Sequence, residues 1–206
     1  SSLQELQAAD YLLSLSLQFE DQQLLFKGPI QGLPDVDFLP SVQAQLAGFE
    51  NLISTRTHSV TQINLKDSYE SQKIINSTFV PISTVSGEVQ TRLIDKGFLD
   101  LLSGEQYFLE MESDSPTEKN SALLVKTTKA EQAWELLKQY RDTTEFYPSE
   151  RYLETEIIFF PEENFPAHLF NGRFFGFEQT YISQIDQLLV ISNSADGMRT
   201  LLDDYS

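Results

Sequence analysis

The chain has 206 residues, of which 40% are apolar and 12% aromatic, which is enough to build a hydrophobic core and excludes global disorder. With 31 acidic and 14 basic residues the formal net charge is −17, which argues against binding to nucleic acid or to an anionic membrane. The lack of cysteine excludes disulfides, thiolate zinc sites and a cysteine nucleophile. No run approaches the roughly 20 apolar residues that span a bilayer, so we expect no membrane insertion by this fragment.

The first segment, residues 1–70, begins with a possible helix and continues with a strand. The stretch LLSLSLQF alternates apolar and polar residues, which predicts a strand, and Glu20-Asp21 predicts a turn into a second strand, QQLLFKG. A loop rich in Gly and Pro (28–40), a short helix (41–47) and a β-prone stretch follow. The order resembles the end of the repeated unit described next, so we interpret this segment as a partial or diverged copy of it.

A repeat is the strongest pattern in the chain. Residues 123–140 (LLVKTTKAEQAWELLKQY) and 188–205 (LLVISNSADGMRTLLDDY) align without a gap and share seven of eighteen residues. Each stretch predicts a strand followed by a helix. Thr128 and Asn193 each precede an acidic residue by three positions, which predicts a helix N-cap at the same place in both copies.

Upstream of each copy the chain repeats a second pattern of strand, helix and strand. The strand-like runs are STFVPIST at 77–84, QYFLEM from Gln106, YLETEIIFF at 152–160 and RFFGFEQTYI from Arg173. Each unit then reads strand–helix–strand–strand–helix, over residues 71–148 and 149–206.

These elements predict an α+β fold. We expect antiparallel sheets with helices packed on one face, built from a duplicated βαββα module related to the ferredoxin-like arrangement. Residues 71–148 are the first module and 149–206 the second, or the segments form one continuous domain. The alternative to a duplication is two unrelated α+β segments with similar leucine-rich helices.

Two stretches resemble a poorly characterised group of large bacterial exported proteins. IDQLLVISNSADGMRTLLDDY is similar to a feature of that group in which a strand reading LVISNS precedes a short helix ending in Leu-Leu-x-x-Tyr, and LSLSLQFEDQQLLFKG is similar to another part. The resemblance implies export to the periplasm or cell surface and a longer parent chain, and it supplies no catalytic residues. The start at Ser1-Ser2 and the helix-like end agree with the expectation of a fragment.

Motifs for nucleophilic, metal or phosphate chemistry are missing from the sequence. His58 and His168 are the two histidines, and no Gly-x-Ser-x-Gly elbow accompanies them, so we expect surface or capping roles. His-x-x-x-His spacing and Gly-x-Gly-x-x-Gly loops do not occur either. We therefore predict no catalytic residue, metal or cofactor from motifs.

Paired carboxylates are the one pattern that points to catalysis. Glu154 and Glu156, like Glu110 and Glu112, lie two apart in predicted strands, which places the carboxyl groups about 7 Å apart on one face. Glycoside hydrolases use such separations, so Glu154 and Glu156 are the catalytic candidates of the alternative reading. Both pairs alternate with apolar residues as on a solvated face, which is the simpler interpretation.

An aromatic cluster, FNGRFFGFEQTY, gives the candidate binding residues. On a strand Phe175, Phe177 and Tyr181 point one way and Phe174 the other. An exposed set would form a contact surface for a protein or a glycan, whereas a covered set would belong to the core. Trp134 has helical spacing with apolar neighbours and is expected in the core.

The sequence favours a non-catalytic exported binding or scaffolding domain with an unidentified protein or glycan partner. The alternatives are a carboxylate-dependent glycan hydrolase and a Ca²⁺-dependent adhesion module, although acidic pairs such as Asp203-Asp204 lack EF-hand spacing. Catalysis is left open, and the oligomeric state and the ligand are beyond the sequence.

Overall fold

The structure is a computed structural model that describes residues 12–13, 16–20, 23–27, 30–31, 52–64, 89–113, 119–142, 149–160, 162–170 and 174–205. The chain divides into two compact units, Ser1–Val36 and Asp37–Ser206. The described residues of the first unit form four short strands, β1 (Leu12–Leu13), β2 (Ser16–Glu20), β3 (Gln23–Lys27) and β4 (Ile30–Gln31). They pair antiparallel, β2 with β3 and β1 with β4. The predicted early hairpin is confirmed, with two residues left between β2 and β3.

One antiparallel sheet of seven strands dominates the second unit. Its spatial order is β5-β6-β7-β11-β10-β9-β8, so that two hairpins lie side by side at the centre. The strands are β5 (Thr57–Asn64), β6 (Leu102–Met111), β7 (Asn120–Thr127), β8 (Ser149–Tyr152), β9 (Thr155–Phe160), β10 (Thr180–Ile185) and β11 (Leu188–Ser192). The predicted α+β class with an antiparallel sheet is confirmed.

Short helical segments and three α-helices accompany this sheet. They are a π-helical turn (Gln90–Ile94), a 3-10 helix (Phe98–Leu101), α1 (Ala130–Asp142), α2 (Phe165–Leu169) and α3 (Ala195–Tyr205). Residues alternate between the two faces of the central strands, which are buried on both sides. Leu123 and Val125 pack with α1, α2 and the turn near Leu93, and we call this side the α1 face. Leu124 and Val190 pack with α3, and we call that side the α3 face.

The expectation that the helices share one face is wrong, and the strand register gives the reason. In the repeat Val190 matches Val125, but in the sheet Val190 lies opposite Leu124. Residues directly opposite each other on neighbouring strands have their side chains on the same face of the sheet. A shift of the pairing by one residue moves a side chain to the other face. Val125 therefore enters the core under α1 while Val190 enters the core under α3. The helices that follow these strands lie on opposite sides of the sheet.

The predicted modules map only partly onto described residues. The strand expected at 77–84 and the helix at 41–47 lie outside them. On the side away from β7, β6 pairs with β5, which belongs to the predicted first segment, so the sheet takes strands from all three predicted segments. The duplication and the domain boundaries stay predictions.

Gln106 is a polar side chain in the apolar core. It lies on β6 with no solvent exposure, and in the described part of the chain neither its amide nitrogen nor its amide oxygen has a hydrogen-bond partner. Leaving such groups unpaired in a core costs about 1–3 kcal/mol. The neighbouring core around Val125 is apolar.

We therefore expect Gln106→Met, which keeps the side-chain length, to raise the free energy of unfolding by about 1–3 kcal/mol. Urea denaturation checks this result. The matched control is Gln62→Met on the adjacent strand, which loses the bond from the Gln62 amide to the Tyr107 hydroxyl (2.9 Å) and should be destabilised by about 1 kcal/mol. A destabilised Gln106→Met would show that the buried amide is hydrogen-bonded in solution.

Candidate functional site

An exposed phenylalanine stands on a loop just before β10. The predicted strand from Arg173 is wrong here, since β10 begins at Thr180. Phe174 (φ 63°) and Gly176 (φ 93°) have left-handed backbone conformations, which a bulky residue such as Phe174 adopts rarely. Phe175 between them is 57% exposed and is the most exposed large apolar side chain among the described residues. We call residues 174–178 the Phe175 loop.

Phe174 fixes the inner side of this loop. Its ring stacks on Phe108 of β6 and meets the edge of Phe170, with centroids 5.7 Å apart in both pairs. Such aromatic pairs contribute about 0.5–1.5 kcal/mol beyond the area that they bury. The left-handed conformation at Phe174 thus places one ring on the α1 face and directs the next one, Phe175, into solvent.

Asn164 holds the loop from one side. This residue precedes α2 in a left-handed conformation (φ 54°), which asparagine tolerates better than most residues. Its side-chain oxygen accepts hydrogen bonds from the backbone N–H groups of Gly176 (3.0 Å) and Phe177 (3.2 Å). Its own backbone N–H donates to the Phe177 carbonyl (2.6 Å). Three bonds therefore fix the backbone that carries Phe175.

Asn193 holds the loop from the other side. Its amide nitrogen donates to the carbonyls of Gly176 (3.3 Å) and Lys119 (2.6 Å), and its side-chain oxygen accepts from the Ser121 N–H (2.8 Å). The prediction that Asn193 caps the last helix is wrong by one residue. Ser194 does so, because its hydroxyl accepts from the Gly197 N–H (2.9 Å). Because Ser194 is the cap, the Asn193 side chain instead connects the Phe175 loop to the start of β7.

A cavity of about 380 Å³ lies at the end of the sheet beside this junction. Its lining includes His58, Glu110, Glu112 and the segment 119–121. The Asn193 amide bonds the carbonyls of both Lys119 and Gly176, so it connects the Phe175 loop to one of the residues that line the cavity. The cavity thus brings together His58 and the carboxylates Glu110 and Glu112, which the sequence singled out for separate reasons.

The cavity offers hydrogen-bonding groups of both charges to a polar ligand. Glu110 is half-buried, while His58, Glu112 and Lys119 are exposed. Within the described residues no three His, Cys, Asp or Glu side chains are close enough together to hold a metal ion. The lining therefore combines basic and acidic side chains at one end of the sheet.

Glu154 and Glu156 do not form the predicted pair on one strand. Tyr152 pairs with Thr155, so Leu153 and Glu154 form a two-residue turn between β8 and β9. Both turn residues have positive φ (44° and 63°), as a type I′ turn requires. Glu154 is exposed and bonds Arg151 (2.7 Å), whereas Glu156 lies on β9 and is half-buried. The separation argued from a continuous strand does not apply to them.

The remaining candidates are separated by the fold. Phe177 is fully buried in the core under α1, so it does not share a face with Phe175 as predicted. Tyr181 is half-buried on the α3 face. His168 is half-buried in the last turn of α2. Trp134 is buried in the core under α1, as predicted.

Sequence reasoning missed Asn164 and Asn193 as positioning residues. Asn164 has a local signal, because asparagine before Phe-Pro is a plausible left-handed residue at a helix start. Asn193 was identified only as a cap. Its partners Ser121 and Lys119 are more than seventy residues away along the chain and Gly176 is 17 residues away, so no local pattern reports them.

Comparisons of the chain with protein-family models, with curated protein sequences and with solved structures gave no match. None of the helices in the described ranges is long and apolar enough to cross a lipid bilayer.

Proposed function

We propose that this chain is a non-catalytic binding domain of a larger exported protein and that it contacts a partner protein through the Phe175 loop and the adjoining cavity. Export and a longer parent chain rest on the sequence resemblance. The observation that carries the binding role is the exposed Phe175, held by hydrogen bonds from two asparagines on different elements.

The energetics of this loop favour an anchor residue. Burying a phenylalanine side chain fully in a partner's pocket contributes about 1.5–3 kcal/mol. Asn164 and Asn193 already fix the loop backbone, so little conformational entropy is lost on binding. Aromatic anchors surrounded by polar groups are typical of binding hot spots. Polar groups are connected to the loop through Asn193, which bonds the carbonyl of Lys119 in the cavity lining.

The charge of the chain favours a basic partner. A formal net charge of −17 attracts positively charged surfaces over a distance of about one Debye length, roughly 8 Å at physiological salt. Glu110 and Glu112 line the same cavity as Lys119, whose carbonyl Asn193 connects to the Phe175 loop. Association should therefore slow as salt is added, while the contact of Phe175 is insensitive to salt.

Photo-crosslinking in the source cells tests the proposal. With p-benzoylphenylalanine in place of Phe175, we expect one discrete crosslinked protein, and the additional change Glu110→Lys should reduce its yield because it places a positive charge opposite the basic partner. The matched control is the same amino acid in place of Leu153, which is 52% exposed in the β8–β9 turn and lies outside the proposed surface. Equal crosslinking from both positions would contradict a specific binding surface.

The alternative functions predict different results with the purified chain. A glycan hydrolase would release products from cell-wall glycans and would lose turnover in Glu110→Gln, since Glu110 and Glu112 are the carboxylates that line the cavity. A Ca²⁺-dependent adhesion module would melt at a lower temperature in EDTA. We expect neither turnover nor a shift with EDTA, and either result would replace the proposal.

A further inference from the structure

A second cavity lies on the α3 face, away from the Phe175 loop. Its volume is about 390 Å³, which is within the usual range for small-ligand sites, and its lining is Ser149, Glu150, Ile157, Phe159 and Tyr181. The buried Ile157 forms the apolar floor. Ser149 and Glu150 belong to the edge strand β8, so the cavity opens at the side of the sheet.

Two aromatic rings form one wall of this cavity. Phe159 and Tyr181 lie on paired positions of β9 and β10, with ring centroids 5.3 Å apart and planes inclined at 45°. Both are half-buried. Burial raises the pKa of the Tyr181 hydroxyl, so this ring stays a neutral phenol at neutral pH. The inclined rings make a corner whose faces carry the negative part of the aromatic quadrupole.

Glu150 contributes a carboxylate to the lining of the cavity. The Arg199 guanidinium of α3 donates to both oxygens of Glu150 (3.1 and 2.8 Å) and to Asp196 (2.8 Å). Two carboxylates and one guanidinium give these three residues a net charge of −1. The bidentate bond also fixes the Glu150 carboxylate at the cavity instead of leaving it mobile in solvent.

We propose that this cavity binds a small organic cation carrying an ammonium group. Aromatic faces attract such a cation, and the Glu150 carboxylate in the lining does the same. The overall charge of −17 disfavours anions. A neutral ligand of the same shape would gain only the apolar contact with Ile157 and the rings.

Choline can be compared with its neutral isostere dimethylbutanol, in which carbon replaces the nitrogen. The comparison distinguishes the effect of the ligand's charge from that of its shape. Titrations of the ¹⁵N-labelled full chain, followed by NMR, should show that choline shifts the amide signals of residues 149–159 and 181. We expect the isostere to bind about tenfold more weakly, because it lacks the attraction to the ring faces and to Glu150. Equal affinities, or no choline binding at millimolar concentration, would overturn the proposal.

Substitutions of the lining residues test whether choline binds in this cavity. Phe159→Leu and Tyr181→Leu keep apolar bulk but remove a ring, and each should weaken choline binding about tenfold while the rest of the spectrum shows an intact fold. Glu150→Gln should weaken it severalfold. The control Glu154→Gln removes an exposed carboxylate from the same hairpin and should leave choline binding unchanged. A loss with Glu154→Gln equal to that with Glu150→Gln would show that only the overall charge matters and would overturn the assignment.

Discussion

Replacing Asn164 with alanine is expected to lower the free energy of unfolding by about 2–4 kcal/mol and to release the Phe175 loop. The side chain accepts two backbone hydrogen bonds, from Gly176 and Phe177, and each such bond contributes about 1 kcal/mol. Alanine also has to adopt the left-handed conformation of residue 164 (φ 54°), which costs it about 1–2 kcal/mol.

Two matched variants separate these contributions. Asn164→Gly removes only the acceptor, since glycine adopts positive φ freely, and should cost about 2 kcal/mol. Asn164→Asp keeps the acceptor and tolerates the conformation, so it should cost less than about 1 kcal/mol. Urea denaturation measures the stabilities, and chymotrypsin cleavage after Phe175 reports the release of the loop. If aspartate and alanine proved equally destabilising, the two hydrogen bonds would not hold the loop.

The order of elements could be predicted largely from local sequence, whereas the sidedness of the helices could not. The matching stretches at Val125 and Val190 correctly indicated two strand–helix pairs. Which face each helix covers depends on whether Val190 lies opposite Val125 or Leu124. That register is set by packing across the whole sheet, and a change of one residue reverses it.

Local exceptions to common turn and strand rules account for the other misses. Leu153-Glu154 forms a type I′ turn without the usual Asn or Gly, so the run at 152–160 reads as a single strand. Phe174 to Tyr181 alternates like a strand, but the positive φ of Phe174 and Gly176 interrupts it. Aromatic packing on Phe108 stabilises that backbone, and this contact is not visible in the sequence.

The sequence singled out individual residues of the candidate site, but it did not show where they lie in the fold. His58, Glu110 and Phe175 each stood out by residue type. His58 and Glu110 line one cavity because β5 pairs with β6, and Asn193 joins the segment 119–121 of that cavity to the Phe175 loop. These pairings connect distant parts of the chain, and periodicity along a single strand carries no information about them.

Phe160→Ala is expected to cost about 3–5 kcal/mol, a large part of the roughly 5–15 kcal/mol that stabilises a typical domain. Phe160 is 1% exposed at the end of β9. Its ring centroid lies 4.6 Å from that of Phe165 on α2 and 5.9 Å from that of Tyr140 on α1. Truncation leaves a cavity where three elements meet, which adds to the lost transfer free energy.

The same substitution at Phe175 is the matched control, because that ring is mostly in solvent and its loss should change stability by less than about 0.5 kcal/mol. Phe160→Leu refills part of the space, so its stability cost should lie between those of Phe160→Ala and Phe175→Ala. Urea denaturation of the three variants with a common m-value makes the comparison. Similar costs for Phe160→Ala and Phe175→Ala would contradict both the core assigned to Phe160 and the exposed anchor assigned to Phe175. A wide gap would show that Phe160 supports the core and that Phe175 contributes little to the stability of the fold.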